Sequence, residues 1–108
     1  MNNVLETLYN VVLDRKANPQ EGSYTCYLFD KGLDKILKKI GEECSETIIA
    51  AKNNDKSETV YEISDLIYHL MVMMVNEGIE LNDVMAELDS RAQKIGNLKQ
   101  MRVTDKNT

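Results

Sequence analysis

The chain has 108 residues, of which 43% are hydrophobic and 29% charged, and its 18 acidic residues outnumber its 13 basic ones. This length corresponds to one domain that is large enough to bury its own core. The formal charge of −5 argues against a protein that binds nucleic acid or anionic membranes, since such proteins carry a basic excess. One Pro, five Gly, five Tyr and one Phe argue against a turn-rich β-sandwich and favour helices.

The two cysteines, Cys26 and Cys44, stand alone and predict neither a disulfide framework nor a zinc site. Cys44 lies on an apolar helical stripe and is expected to pack as a small hydrophobic residue. The N-terminus shows no basic and apolar leader, and the apolar stretch 66–75 is much shorter than the roughly 20 residues of a membrane span. We therefore expect a cytoplasmic protein without a membrane segment.

The period of the apolar residues predicts four helices. The first runs from about Asn3 to Lys16 and ends before Pro19, which cannot continue a helix. The segment 17–29 is predicted to be a loop. Three of the six aromatic residues lie in this loop, which is unusual for a plain connector, so we expect it to pack over or bind something.

The second helix is predicted from about Asp30 to Asn53, with its apolar residues along one face. A turn at 53–56 follows, and Ser57 is the predicted cap of the next helix. The third helix is predicted over about 58–76. From Leu66 onward it is apolar nearly all round, which is typical of a central buried helix.

Gly78 is predicted to end the third helix, and a fourth begins at Asn82 or Asp83 with Gly96 as its C-cap. We expect one domain over residues 1–103, followed by a disordered tail, 104–108. Four modest helices with an apolar third helix predict an all-α, four-helix arrangement that is completed by dimerisation.

Carboxylates recur at a spacing of three residues on the second and third helices, as Glu43 with Glu46 and Glu62 with Asp65, and His69 follows one turn later. Residues at this spacing project from the same side of a helix. If the two helices run antiparallel across their short turn, all four acids converge. A charge at a packed face is costly unless it is paired or bound to metal, and carboxylates suit Mg²⁺ or Mn²⁺.

Other interpretations of these residues remain open. In one of them, Glu42 and Glu46 pair with Lys38 and Lys39 as surface neighbours, and Glu62 and Asp65 lie in solvent. A di-iron site needs two Glu-x-x-His motifs, and the chain has one histidine. We expect His69 to be a buried or supporting residue rather than a direct ligand.

The run GSYTCYLFDKGLDKILKKIGEECSETIIAAK, residues 22–52, and the run EISDLIYHL, residues 62–70, together resemble the phosphoribosyl-ATP pyrophosphatase family. This family belongs to the all-α NTP pyrophosphohydrolase superfamily, whose signature is Glu-x-x-Glu followed by Glu-x-x-Asp. The resemblance extends over about 4–102. The signature corresponds here to Glu43, Glu46, Glu62 and Asp65.

The resemblance implies hydrolysis of 1-(5-phosphoribosyl)-ATP to 1-(5-phosphoribosyl)-AMP and pyrophosphate, the second step of histidine biosynthesis. Mg²⁺, with Mn²⁺ as a substitute, would be held by the four signature carboxylates. Either Glu46 or Glu42 would accept a proton from the attacking water. Enzymes of this superfamily are typically at least dimers, so we expect a homodimer with a small nucleotide as its substrate.

The phosphates of such a substrate require basic and polar contacts. Lys31, at the start of the predicted second helix, is well placed to reach a phosphoryl group near a helix N-terminus. Further predicted substrate contacts are Tyr24, Thr25, Lys39 and Arg91.

Two other functions remain open at this point. A house-cleaning pyrophosphohydrolase acting on dUTP or non-standard nucleotides would share the carboxylates without needing the 22–32 segment. A non-catalytic helical dimerisation module would need none of the acids.

Overall fold

The computed structural model describes residues 3–94, in which every regular element is an α-helix. The all-α prediction is confirmed, with one more helix than expected. The predicted cap Gly96, the domain boundary at 103 and the predicted tail 104–108 lie outside the described residues. In chain order the helices are α1 (Val4–Ala17), α2 (Tyr24–Lys31), α3 (Leu33–Lys52), α4 (Lys56–Glu77) and α5 (Leu81–Gln93).

The helices α3 and α4 pair as an antiparallel hairpin around a short turn. Asn54 takes the left-handed conformation in this turn, with φ of 56°. The side chain of Asp55 accepts the backbone N–H of Glu58 at 3.0 Å and so begins α4. The prediction that Ser57 caps this helix is therefore wrong, because Asp55 is the N-cap, two residues earlier. Gly78 ends α4 as predicted, with φ of 72°.

The segment 17–29, predicted to be a loop, contains the start of α2. This helix begins at Tyr24 because the Ser23 hydroxyl accepts the N–H of Cys26 at 3.2 Å. It ends at Gly32, whose φ of 90° is a conformation that favours glycine. Leu28 is fully buried and anchors α2 in the core. The aromatic segment does pack over the protein, but as a helix.

The core lies where α1 and α2 pack on the hairpin, mainly along the C-terminal half of α4. Val12 of α1 and Leu28 of α2 are buried there, together with Met71, Val72 and Val75 of α4. This confirms the prediction that the third predicted helix is central and buried. None of the helices in residues 3–94 combines the length and the hydropathy that a bilayer span requires.

The prediction that Cys44 packs as a small hydrophobic residue is wrong, because its side chain is exposed. The apolar stripe of α3 is wider than the face that its neighbours cover. Ile36 and Ala50 are buried on that face. On the uncovered side, Leu37 and Ile48 are exposed together with Cys44.

Candidate metal centre and substrate site

The hairpin brings the four signature carboxylates together. Glu43, Glu46 and Glu62 each offer an oxygen, and these oxygens lie within 4.8 Å of one another. Glu43 also forms a second group of the same dimensions with Asp65 and His69. Glu43 belongs to both groups and therefore lies at the centre of what we call the carboxylate cluster: Glu43, Glu46, Glu62 and Asp65.

Two acids of the carboxylate cluster are buried, since Glu43 is 3% exposed and Glu62 is 7% exposed. Burial first, and then the carboxylates of Asp65 and Glu46, raise the pKa of Glu43 to about 8. Burial and the neighbouring Glu46 likewise raise the pKa of Glu62. Burial and neighbouring carboxylates thus disfavour the ionised forms of Glu43 and Glu62.

One carboxylate oxygen of the cluster is buried without a polar partner among the described residues. Among the buried side-chain atoms of residues 3–94, Glu43 Oε2 is the one without a hydrogen-bond partner. The nearest ammonium group, Nζ of Lys39, lies 3.8 Å from the other oxygen, Oε1. Carboxylate oxygens are the donors that hard divalent cations such as Mg²⁺ and Mn²⁺ prefer, and a bound cation would give the buried Oε2 a partner. The residues of the cluster therefore fit such an ion.

Glu42 lies apart from the carboxylate cluster. Its Oε1 is 3.1 Å from Nζ of Lys39, and its side chain is 45% exposed. The hydrogen bond and charge of Lys39 lower the pKa of Glu42. The surface-pairing interpretation thus describes Glu42, whereas Glu46 lies with Glu43 and Glu62.

A shallow groove of about 160 Å³ opens beside the cluster near the hairpin turn. Glu46 and Glu62 form part of its wall, and Ile49 and Glu58 lie next to them. The sequence did not single out Ile49 or Glu58. The one feature of the sequence that points to these two residues is their helical spacing, which places them on the same side as the signature acids.

The first turn of α2 docks on α4 through side chains. The Tyr24 hydroxyl lies 3.0 Å from Nε2 of His69, and the Thr25 hydroxyl forms a hydrogen bond with the hydroxyl of Tyr68. Tyr24 also stacks on Tyr27, with ring centroids 6.0 Å apart. An open groove of about 510 Å³ adjoins these rings. The structure thus connects Tyr24 and Thr25 to the helix that carries Glu62 and Asp65. The sequence did not single out Tyr68, which forms a hydrogen bond with Thr25 and contacts the ring of His69.

The predicted basic contacts occupy three places. Lys39 borders the cluster through Glu42 and Glu43. Lys31 ends α2, and its Nζ lies 5.8 Å from the ring centroid of Tyr27. Arg91 forms an ion pair with Glu87 on the exposed surface of α5, so it is not among the groups that the hairpin brings together.

The fold and site define a class of protein: an all-α protein whose acidic centre is built by an antiparallel helical hairpin. The model of the family described as phosphoribosyl-ATP pyrophosphohydrolase matches residues 5–92. The chain belongs to this family, and it is an enzyme, a hydrolase. The resemblance seen in the sequence is confirmed.

Curated relatives agree with this assignment. The chain is 58% identical over 103 residues to the phosphoribosyl-ATP pyrophosphatase of Clostridium botulinum strain Hall, covering 95% of this chain and 94% of that protein. It is 57% identical to the protein of the same name from Streptococcus thermophilus, covering 94% and 99% of the two chains. It is also 64% identical over 84 residues to the histidine biosynthesis bifunctional protein HisIE of Thermoanaerobacter pseudethanolicus, covering 78% of this chain and 39% of that one.

Proposed function

We propose that this enzyme hydrolyses 1-(5-phosphoribosyl)-ATP to 1-(5-phosphoribosyl)-AMP and pyrophosphate, the second step of histidine biosynthesis, and that it depends on Mg²⁺. Family membership supports the reaction and the pathway. The observation that carries the metal dependence is the buried, unpartnered Oε2 of Glu43 within the carboxylate cluster. A triphosphate substrate needs such a centre, because its negative charge must be neutralised before water can attack.

The proposed ligands of Mg²⁺, with Mn²⁺ as a substitute, are the four members of the carboxylate cluster. When bound, the ion would neutralise phosphate charge and favour the reactive form of the attacking water. In the cation-free protein, a pKa of about 8 means that Glu43 holds a proton at neutral pH. Binding of Mg²⁺ would therefore require Glu43 to release that proton.

We propose Glu46, rather than Glu42, as the proton acceptor for the attacking water. The Glu46 carboxylate lies with Glu43 and Glu62 and is accessible to solvent. The Glu42 carboxylate is engaged by Lys39 at 3.1 Å, and its lowered pKa makes it a weaker base than an ordinary glutamate. Glu42 is the second candidate, because it directly precedes Glu43 in the sequence of α3.

The substrate is proposed to lie between α2 and the hairpin. Tyr24 and Thr25 present polar groups from the first turn of α2, and Lys31 stands at the junction with α3. Lys39 borders the cluster from the same side of α3 as Glu43. These residues, together with Arg91, are the proposed contacts to the phosphates and phosphoribose.

We propose that the chain forms a homodimer through the uncovered side of the hairpin. Leu37 and Ile48 on α3 are 44% and 64% exposed, and Val60 and Ile63 on α4 are 63% and 42% exposed. Helical spacing places each pair on one stripe of its helix, next to the exposed Cys44. A second copy offers the same apolar stripes, so a two-fold interface buries both sets at once.

A cytoplasmic location is proposed because Cys26 and Cys44 are both free thiols, and Cys44 is exposed. Such thiols persist in a reducing compartment.

One assay tests the proposed activity. The protein is incubated with Mg²⁺ and either 1-(5-phosphoribosyl)-ATP, dUTP or dCTP, and pyrophosphate is measured. We expect release from the first substrate only, and none after addition of EDTA. Preferential release from dUTP or dCTP would show a house-cleaning enzyme instead. Release from none of the three would contradict the proposal.

A further inference from the structure

His69 is the one histidine of the chain, and it is almost completely buried at 1% exposure. Both of its ring nitrogens are engaged. Nδ1 lies 2.8 Å from the backbone carbonyl oxygen of Asp65, and Nε2 lies 3.0 Å from the hydroxyl of Tyr24. The histidine thus connects a member of the carboxylate cluster on α4 to the first residue of α2.

The two partners define the protonation of the neutral ring. A carbonyl oxygen only accepts hydrogen bonds, so in the neutral ring Nδ1 carries the proton and donates a hydrogen bond to the backbone carbonyl of Asp65. Nε2 is then an acceptor, and the Tyr24 hydroxyl must donate to it. The lone pairs of the Tyr24 oxygen remain available to a donor, and Lys39 is close enough for its charge to act on that hydroxyl.

Aromatic contacts hold the imidazole plane in place. Tyr24 and Tyr68 both meet His69 edge to face, at interplanar angles of 79° and 78°. The ring centroids are 5.8 Å and 5.0 Å from that of His69. With its plane fixed by two rings and its nitrogens by two hydrogen bonds, His69 has one orientation available. A nitrogen that bound a cation would have to break one of those bonds.

We infer that His69 is a positioning residue for substrate binding: as the Nδ1–H tautomer it directs the Tyr24 hydroxyl toward Nε2 and holds α2 against the carboxylate cluster. This inference rests on the proposed function only for its effect on substrate binding. The metal ligands remain the carboxylates, and His69 acts through Tyr24 rather than by ligation.

The tautomer is measured without any substrate. Because the chain has a single histidine, the imidazole ¹⁵N resonances of the full-length protein belong to His69. We expect the neutral Nδ1–H tautomer in the wild type, and a shift of the Nε2 resonance in Tyr24→Phe, which removes the donor. A wild-type Nε2–H tautomer, or an Nε2 resonance that ignores Tyr24→Phe, would overturn the inference.

Measurements of kinetics and of Mg²⁺ affinity then distinguish a positioning role of His69 from a role as a metal ligand. The variants are Tyr24→Phe, His69→Asn and His69→Gln, and Tyr61→Phe on the exposed side of α4 is the matched control. The side-chain amide of Gln reaches the Nε2 position and its oxygen accepts from Tyr24, whereas that of Asn reaches only the Nδ1 position. Each variant is assayed for KM and kcat at saturating Mg²⁺, and for Mg²⁺ affinity by calorimetry without substrate.

We expect Tyr24→Phe and His69→Asn to raise KM about 3- to 10-fold, the worth of one neutral hydrogen bond, with kcat within about twofold. His69→Gln should recover most of the loss, and the double variant of Tyr24→Phe with His69→Asn should be no worse than either single one. Mg²⁺ affinity should stay within about twofold of the wild type, because carboxylates supply the ligands.

Two results would overturn the inference. Tenfold or weaker Mg²⁺ binding in both His69 variants but not in Tyr24→Phe would identify His69 as a ligand. An unchanged KM in Tyr24→Phe would show that its hydroxyl does not serve substrate binding. If His69→Asn fails to fold, Tyr24→Phe and His69→Gln still decide the question. A wild type that does not turn over the substrate would contradict the proposed function, while the ¹⁵N experiment would still test the tautomer.

Discussion

Glu43 on α3 and Glu62 on α4 meet across the hairpin, where both side chains are buried and offer oxygens within 4.8 Å of each other. Burial raises the pKa of both residues, and neighbouring carboxylates raise it further: Asp65 and Glu46 act on Glu43, and Glu46 acts on Glu62. A structural role would be better served by an ion pair or by apolar residues. The pairing is instead what a centre for a divalent cation requires.

Removal of either central ligand should abolish activity without unfolding the protein. We expect Glu43→Gln and Asp65→Asn to lower kcat more than about 100-fold, since even groups that merely orient metal ligands are worth about 10- to 100-fold. Circular dichroism should show unchanged helix content. Glu6→Gln, an exposed acid on α1, is the control and should keep full activity. Full activity in either cluster variant would contradict the ligand assignment.

The two candidate bases should behave differently. Glu46→Gln is expected to lower kcat by about 100-fold or more, in the range of a lost general base or ligand. Glu42→Gln should change kcat by no more than about threefold, because Glu42 forms a partly exposed ion pair with Lys39. Steady-state kinetics at saturating Mg²⁺ compares them. The opposite order of effects would assign the base to Glu42.

The raised pKa of Glu43 predicts how stability depends on pH in EDTA. An acid with a pKa of about 8 in the folded protein, against an ordinary 4.5, binds its proton more tightly when folded. Its contribution to stability is fully present below 4.5 and is lost as the pH rises through 8. The wild type should therefore melt at progressively lower temperature than Glu43→Gln as the pH rises.

Thermal melting at several pH values measures this effect. The difference in Tm between Glu43→Gln and the wild type should grow by several degrees between about pH 5 and 8.5, since about 1 kcal/mol corresponds to about 4–8 °C in a domain of this size. Saturating Mg²⁺ should stabilise the wild type most at the alkaline end, where the ligands are ionised. A difference in Tm that is constant with pH would show that Glu43 has an ordinary pKa.

The exposed apolar stripe of the hairpin should control the oligomeric state. A charge in place of Ile48, which is 64% exposed in the single chain, would be buried unpaired in the proposed interface. Sedimentation equilibrium should find a dimer for the wild type, near twice the 12.3 kDa of one chain, and a monomer for Ile48→Glu. Val4→Glu, an equally exposed apolar position on α1, should remain dimeric. A monomeric wild type, or a dimeric Ile48→Glu, would contradict this interface.

The sequence predicts the central hairpin well because its signals are long and regular. The helices α3 and α4 span 20 and 22 residues, enough for the apolar period to stand out. The spacing of Glu43 with Glu46 and Glu62 with Asp65 needs only a short turn to bring the four acids together. Both conditions are local in sequence, so the carboxylate cluster follows from them.

The remaining features of the fold and the site depend on contacts between distant parts of the chain, which the sequence does not reveal. The eight residues of α2 are too few to display a period, and the helix depends on its cap Ser23, the buried Leu28 and the side-chain contacts with α4. The exposure of Cys44 depends on which part of a wide apolar stripe α4 covers. The bond between Tyr24 and His69 joins residues 45 positions apart, so no local pattern predicts it.

A metal centre built around Glu43 is tested most directly by calorimetric titration of Mg²⁺ into the substrate-free wild type and into Glu43→Gln, repeated in buffers of different ionisation enthalpy. We predict that the wild type binds the ion and releases protons near neutral pH, because Glu43 must ionise, and that Glu43→Gln binds at least about tenfold more weakly without that proton release. Equal binding by both proteins, or no binding by the wild type, would contradict a metal centre built around Glu43.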